Sequence, residues 1–408
     1  MLRSLVLFAC LFTIFSLSAQ TDYGGPEMIT CSTRDTADTF VPAPRAFLEG
    51  SVGPGTEFVL VFSDSVPAVA RSAMRFAADV WGSYLESDVP VVVEIDWQDR
   101  NDARLLASAG PATLFRGFVG AEPDVWYPVA LAEAIAGRDL NDPEDADIVV
   151  SANSTANWYF GTDGNTPRRE IDLVSVMLHE LGHGLGFLSS VDTINENQLA
   201  IGFGTRFIIY DLFLETPDGV PLTEPTVFTN PSEDLLMAAT SNNLRFGGPR
   251  ATEENGGQRP PLFTPAVFDN GSSVSHLNEN TYRPGDINAL MTPFLSAGEA
   301  AHDPGPVTLG LFEDMGWTIN FDLVSTTEQL PQSFRVYPNP ATDEVALDLP
   351  PTLNRRALTL LDANGKVARS QVQGPGQALL SVRGLPAGFY VLLVEDGTQR
   401  LRSRVVVR

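Results

Sequence analysis

An α+β domain followed by a small all-β sandwich is the architecture that this 408-residue sequence predicts, and three observations carry it. Strand-like runs alternate with amphipathic helical stretches up to about residue 320; short β-type runs bounded by Gly and Pro take over near residue 334. The charge changes with them. Residues 335–408 hold ten basic and six acidic side chains, net +4, which leaves −29 for the rest of a chain whose total is −25. The length exceeds the roughly 250–300 residues at which a single core stops growing, and 43% hydrophobic residues suffice to build more than one. The acidic excess argues against nucleic acid or an anionic membrane surface as a partner.

Arg3 precedes an apolar run over residues 5–15, and Ser16-Leu17-Ser18-Ala19 then supplies small residues for cleavage. Residues 1–19 therefore read as a secretory signal peptide, cut before Gln20. The run is shorter than the roughly 20 residues of a membrane span and no later run approaches that length, so no transmembrane anchor is expected. Once the signal is removed, Cys31 is the only cysteine and no intramolecular disulfide can form. It reads as a small buried hydrophobe, the alternative being a thiolate that caps a metal in an inactive precursor. Residues 20–54 form an N-terminal segment and candidate propeptide.

In the main domain, residues 55–321, Phe58–Phe62 reads as a strand. Ser65 and Pro67 then open a helix with Val69, Ala73, Phe76, Val80 and Tyr84 at helical spacing. Residues 91–95 and 147–151 read as further strands, and residues 158–160 as an edge element. The acidic run over 139–147 offers oxygen ligands for Ca²⁺ but matches no loop of defined geometry, so it reads as a solvated turn.

The segment from Asp172 to Phe187 carries the chemistry. Asp172 is placed to cap a helix, and His179-Glu180-x-x-His183 follows. A four-residue step returns both imidazoles to one helical face, where they can bind one Zn²⁺. Glu180 then lies beside the metal, placed to take a proton from an activated water and deliver it to a departing amine. A catalytic zinc takes three protein ligands, so a third must come from His276, His302 or an acidic residue such as Glu196 or Glu215.

Gly186 sits where the metzincin pattern His-Glu-x-x-His-x-x-Gly-x-x-His has its turn glycine, whereas Ser189 stands where that pattern has its last histidine. Far downstream come Ser275-His276-Leu277, then Asn288-Ala-Leu-Met-Thr-Pro293, then an apolar helical pattern over Pro306–Met315. In this order the segments resemble the leishmanolysin-like metzincins, zinc metalloproteases in which an insertion, here about 190–272, separates the turn glycine from the third histidine. The resemblance implies His179, His183 and His276 as zinc ligands, Glu180 as general base, and Met291 in the turn beneath the metal. It further implies secreted endopeptidase activity on a protein or peptide substrate lying along an edge strand, for which residues 147–153 are the candidate. His302, in Ala-Ala-His-Asp-Pro-Gly, reads as part of a surface loop, and Met315 as a core residue.

After a linker over 322–333, Tyr337-Pro-Asn-Pro340, Asn364-Gly-Lys-Val367 and Leu385-Pro-Ala-Gly-Phe-Tyr-Val391 resemble the C-terminal sorting domain of the type IX secretion system. That resemblance over 334–408 implies export through the periplasm of a diderm bacterium, outer-membrane secretion machinery as a partner, and a secreted or cell-surface product. The opposing class of function is a non-catalytic secreted adhesin or surface-binding protein that keeps the scaffold. Glu180 discriminates, because a structural zinc site has no use for a general base.

Overall fold

The structure, a computed structural model, describes residues 28–102, 104–323, 332–333, 335–348, 356–362, 366–374, 379–395 and 400–408. The signal-peptide segment 1–19 and most of the linker lie outside these residues. The chain divides into two compact units, Met1–Val324 and Ser325–Arg408, each with its own apolar core.

The first unit is mixed α/β. Strands β1 (Ile29–Ser32), β3 (Phe58–Phe62), β4 (Val91–Gln98), β5 (Leu105–Pro111) and β6 (Ile148–Asn153) form one sheet in the order β1-β5-β6-β4-β3. β3, β4 and β6 run parallel, whereas β5 and β1 are antiparallel additions at one side. Helix α2 (Ala68–Tyr84) makes the crossover from β3 to β4, as parallel pairing requires. Its buried face is Ala70, Ala73, Met74, Ala77, Trp81 and Tyr84, while Val69 is 55% exposed. Ala73, Val80 and Tyr84 of the stripe read in sequence are fully buried and Phe76 packs against the core, so the spacing holds except at Val69 in the first turn, and the alanines widen the buried face. Short β2 (Thr36–Val41) and α1 (Arg45–Leu48) lie between β1 and β3, and β2 pairs with β7 (Ala297–Ala301).

One expectation is overturned. Residues 147–153 do not form an edge: β6 is hydrogen-bonded on both sides, by β4 and β5, and Asp147 anchors its start by accepting from the Val92 backbone N–H at 2.7 Å. A strand with apolar residues on both faces reads the same in sequence whether it lies inside a sheet or beside a ligand.

Helix α3 (Val129–Ala136) lies between β5 and β6 in the chain, and helix α4 (Leu173–Leu185) packs on the sheet with every residue buried. The 190–272 segment contains a hairpin of Asp192–Asn195 with Gln198–Ala200, a 3₁₀ turn at Ile209–Phe213, and short helices at Glu233–Ala239 and Pro249–Glu254. Helix α5 (Pro306–Met315) closes the unit; Met315 is buried, and Trp317 just after it donates its indole N–H to the Leu185 carbonyl at 3.1 Å.

The second unit is all β, with a five-stranded and a three-stranded sheet. Leu358, Leu360, Leu392, Val394 and Val405 from the larger sheet and Val345, Leu347 and Leu380 from the smaller one fill its core.

Candidate metal centre

Asp172 begins α4 by accepting hydrogen bonds at Oδ1 from the Ser175 backbone N–H at 2.8 Å and its hydroxyl at 2.7 Å. The helix ends at Gly186, whose φ of +129° is accessible to glycine and strained for other residues. Two glycines inside the helix have packing reasons. A Cβ on Gly182 would lie 2.7 Å from the Met291 sulfur, and one on Gly184 would collide with Ile148 of β6. The helix is therefore thinned where the Met291 turn and the sheet press against it.

His179, His183 and His276 come together. Their Nε2 atoms are separated by 2.9 Å (His179 to His183) and 3.2 Å (His276 to each). Each Nδ1 lies 2.7 Å from a backbone carbonyl, of Leu290, Phe187 and Ser272 respectively. A carbonyl only accepts, so every Nδ1 carries the proton. Burial drives the His179 pKa down to about 4 and those of His183 and His276 well below the ordinary histidine value, with neighbouring imidazoles adding to the effect. Neutral rings protonated at Nδ1 leave three bare Nε2 lone pairs facing one another in a buried site. Those contacts are not hydrogen bonds; they are mutually repulsive unless a cation lies among them. Zn–N bonds of about 2.0–2.1 Å in a tetrahedral arrangement would hold such nitrogens roughly 3.3 Å apart, close to the spacing present. The donor set therefore fits zinc.

Glu180 is fully buried, and neither carboxylate oxygen has a hydrogen-bond partner. Burial pushes its pKa well up, opposed by the Arg100 guanidinium and the Cys31 backbone. Met291 is buried in the turn that supplies the Leu290 carbonyl, and its own carbonyl accepts from the Leu277 N–H at 2.8 Å, tying that turn to the residue after His276.

His302 departs from its sequence reading. It is 1% exposed rather than in a surface loop, and its Nε2 bonds Asp172 Oδ1 at 2.8 Å, at the opposite end of α4 from His183. Its place at the end of β7, where its backbone N–H donates to the Val41 carbonyl, buries it. Ser189 donates to Asp211 at 2.7 Å, and its N–H donates to Ser275 Oγ at 2.9 Å, so the chain leaving Gly186 is stitched to the residue preceding His276. Sequence reasoning passed over Asp211, which also accepts from Ser190 and from the Ile208 N–H at 3.2 Å. A lone acid in the apolar run 207–214 was the available signal. Cys31 is buried, as its sequence reading expects, and lies beside the centre: its thiol, a His179 nitrogen and a Glu180 oxygen lie within 4.8 Å of one another.

Comparison with known proteins adds two family matches. Residues 126–247 match a family model described as SPBPB7E8-like, a span that includes His179, Glu180 and His183 and stops short of His276. Residues 335–408 match the secretion system C-terminal sorting domain. An uncharacterized protein of Schizosaccharomyces pombe is 39% identical over 62 residues, 15% of this chain. The chain spans only 11% of the length of that curated relative. The sorting domain marks the protein for type IX secretion from a diderm bacterium and implies contact with that machinery. Among the described residues no helix is long and apolar enough to cross a membrane.

Proposed function

We propose that the first unit is a secreted zinc-dependent endopeptidase of metzincin type, with His179, His183 and His276 holding the metal and Glu180 as general base and acid. The supporting observation is the conjunction at the centre of three bare imidazole nitrogens with an unpartnered buried carboxylate. Leaving a carboxylate buried without partners costs several kcal/mol, a cost that a purely structural metal site has no reason to carry. This favours catalysis over an adhesin that retains the scaffold. Bound zinc would supply a Lewis acid that lowers the pKa of a water and polarises the scissile carbonyl. Glu180 takes the proton of the attacking water, and its desolvated carboxylate, which strongly favours the protonated form, then delivers that proton to the leaving amine. The Leu290, Phe187 and Ser272 carbonyls hold the three rings in the tautomer that presents Nε2.

The test is hydrolysis of an unstructured protein by the processed, purified protein, with metal analysis and a Glu180→Gln control. Zinc near one per chain in both, with chelator-sensitive cleavage falling about 10²–10⁴-fold in the variant, is expected. Equal cleavage by the variant would refute the assignment.

A further inference from the structure

Among the described residues, the non-glycine residues with a left-handed backbone are Asn101, Asp124, Asn242 and Val274, the last at φ +69°. Asn and Asp enter that region readily, because their short polar side chains bond the backbone locally; a β-branched valine does so only when its surroundings force it. Val274 is fully buried and lies two residues before His276. Strain of this kind persists where neighbouring structure over-determines it, and here the neighbours can be named.

The distortion sits in a strand pairing. Leu262 and Leu277 form an antiparallel bridge, flanked by the Phe263 N–H donating to the His276 carbonyl at 2.8 Å and the Asn278 N–H donating to the Pro261 carbonyl at 3.0 Å. A regular ladder would return the His276 N–H to the Phe263 carbonyl. That carbonyl instead accepts from the Val274 N–H at 2.8 Å, two residues earlier. The chain therefore bulges over residues 274–276, and a bulge re-aims a side chain. The side chain re-aimed is His276, whose Nδ1 turns back on the Ser272 carbonyl while its Nε2 meets those of His179 and His183. Tyr210, fully buried on the 3₁₀ turn of the 190–272 segment, holds the bulge: its hydroxyl donates to the Val274 carbonyl at 2.9 Å. Its ring lies 5.3 Å from that of Phe187, whose carbonyl orients His183. One side chain thus backs two of the three imidazoles.

We propose that Val274 and Tyr210 are positioning residues of the metal centre: left-handed Val274 turns His276 toward the other two imidazoles, and the Tyr210 hydroxyl holds the valine in that conformation. The segment that separates His183 from His276 thereby supplies the brace for the later ligand. This rests on the zinc site proposed above. Two consequences distinguish a brace from core filling. The hydroxyl of Tyr210 matters and not only its ring, and a residue that adopts the left-handed conformation unaided makes the hydroxyl dispensable.

The experiment uses the full chain and three variants, Tyr210→Phe, Val274→Gly and the two combined. Zinc affinity is read by competition with a chromophoric chelator, and ligand geometry by the visible spectrum of the Co²⁺-loaded protein. Tyr210→Phe keeps the ring and removes only the hydroxyl; it should weaken zinc by about 10–100-fold and shift the Co²⁺ bands. Glycine takes the left-handed conformation without strain, so the combined variant should recover most of that loss and the parent spectrum. Unchanged affinity in Tyr210→Phe overturns the brace. A combined variant no better than Tyr210→Phe, or a Val274→Gly protein that loses zinc as strongly, overturns the role of Val274. Amide exchange over residues 274–277 in the metal-free protein keeps this separate from the zinc site itself. Exchange faster by about tenfold or more in Tyr210→Phe supports the brace even in a chain that binds no zinc, and unchanged exchange overturns it. Absence of zinc from the parent chain would instead sink the peptidase function.

Discussion

Helix α4 buries polar groups at both ends and treats them in opposite ways. At its N-terminus Asp172 receives the Ser175 N–H and hydroxyl, the Thr166 hydroxyl at 2.8 Å and His302 Nε2 at 2.8 Å, so both oxygens are satisfied within the protein. Toward its C-terminus three imidazole nitrogens face each other without a proton between them, and neither Glu180 carboxylate oxygen meets a donor in hydrogen-bonding geometry. Both clusters contain buried histidine and buried carboxylate, so residue type and burial do not separate a scaffold from a site. Satisfaction does: the first cluster is complete as it stands, whereas the second leaves three bare nitrogens and a buried carboxylate without donors, the pattern on which the proposed metal site rests.

The largest expected contrast lies between His276→Ala and His302→Ala. The first should lower zinc affinity by more than about 100-fold, since losing a ligand exceeds the loss of an outer-shell partner. The second should leave zinc near one per chain while costing about 3–5 kcal/mol of stability, because a buried pair is broken beside Phe40 and Phe76. Metal analysis with denaturant melts reads both. Full metal content in His276→Ala would erase the distinction between the two ends of the helix.

Acid should act on the C-terminal cluster next. In the metal-free protein burial pushes the His179 pKa down to about 4, below its ordinary value of 6.5, and holds His183 and His276 well below that ordinary value too. The unfolded chain therefore binds more protons across that window, so stability is full above about pH 6.5 and falls as pH drops toward 4. Melting curves across this range check the sign, and His276→Asn should weaken the dependence. Bound zinc should leave over the same interval, because its ligands must be unprotonated.

Much of this was legible in sequence, for reasons that differ by residue. His179, Glu180 and His183 were visible because helical geometry makes a four-residue spacing a spatial statement, and the tail because its turn residues and charge set it apart. The burial of His302 was not visible, since its neighbours Ala300, Ala301 and Pro304 look like loop chemistry and only the pairing of β7 with β2 draws it inside. Nor was the interior place of β6, because sheet order depends on β5 arriving between it and β1. The interlock of Gly182 with Met291 joins positions more than a hundred residues apart, which no local pattern encodes.

That interlock gives the smallest and most local test. The sequence presents Gly182 only as a weak helix position, where Ala would ordinarily gain about 1 kcal/mol. The structure reverses the sign: the added methyl would sit 2.7 Å from the Met291 sulfur and 3.0 Å from its terminal carbon, and the turn holding Met291 also carries the Leu290 carbonyl that orients His179. Gly182→Ala should therefore cost about 1–3 kcal/mol through overpacking and loosen zinc by pushing on that turn. Met291→Ala in the same chain removes the clash, so the double variant should recover part of the zinc affinity lost in Gly182→Ala, although it gives up the packing of the methionine. If Gly182→Ala proves stabilising, the turn is soft and Met291 does not brace the site. A rigid turn gives instead a loss that Met291→Ala partly reverses, while the Asp172–His302 end of the helix stays unaffected.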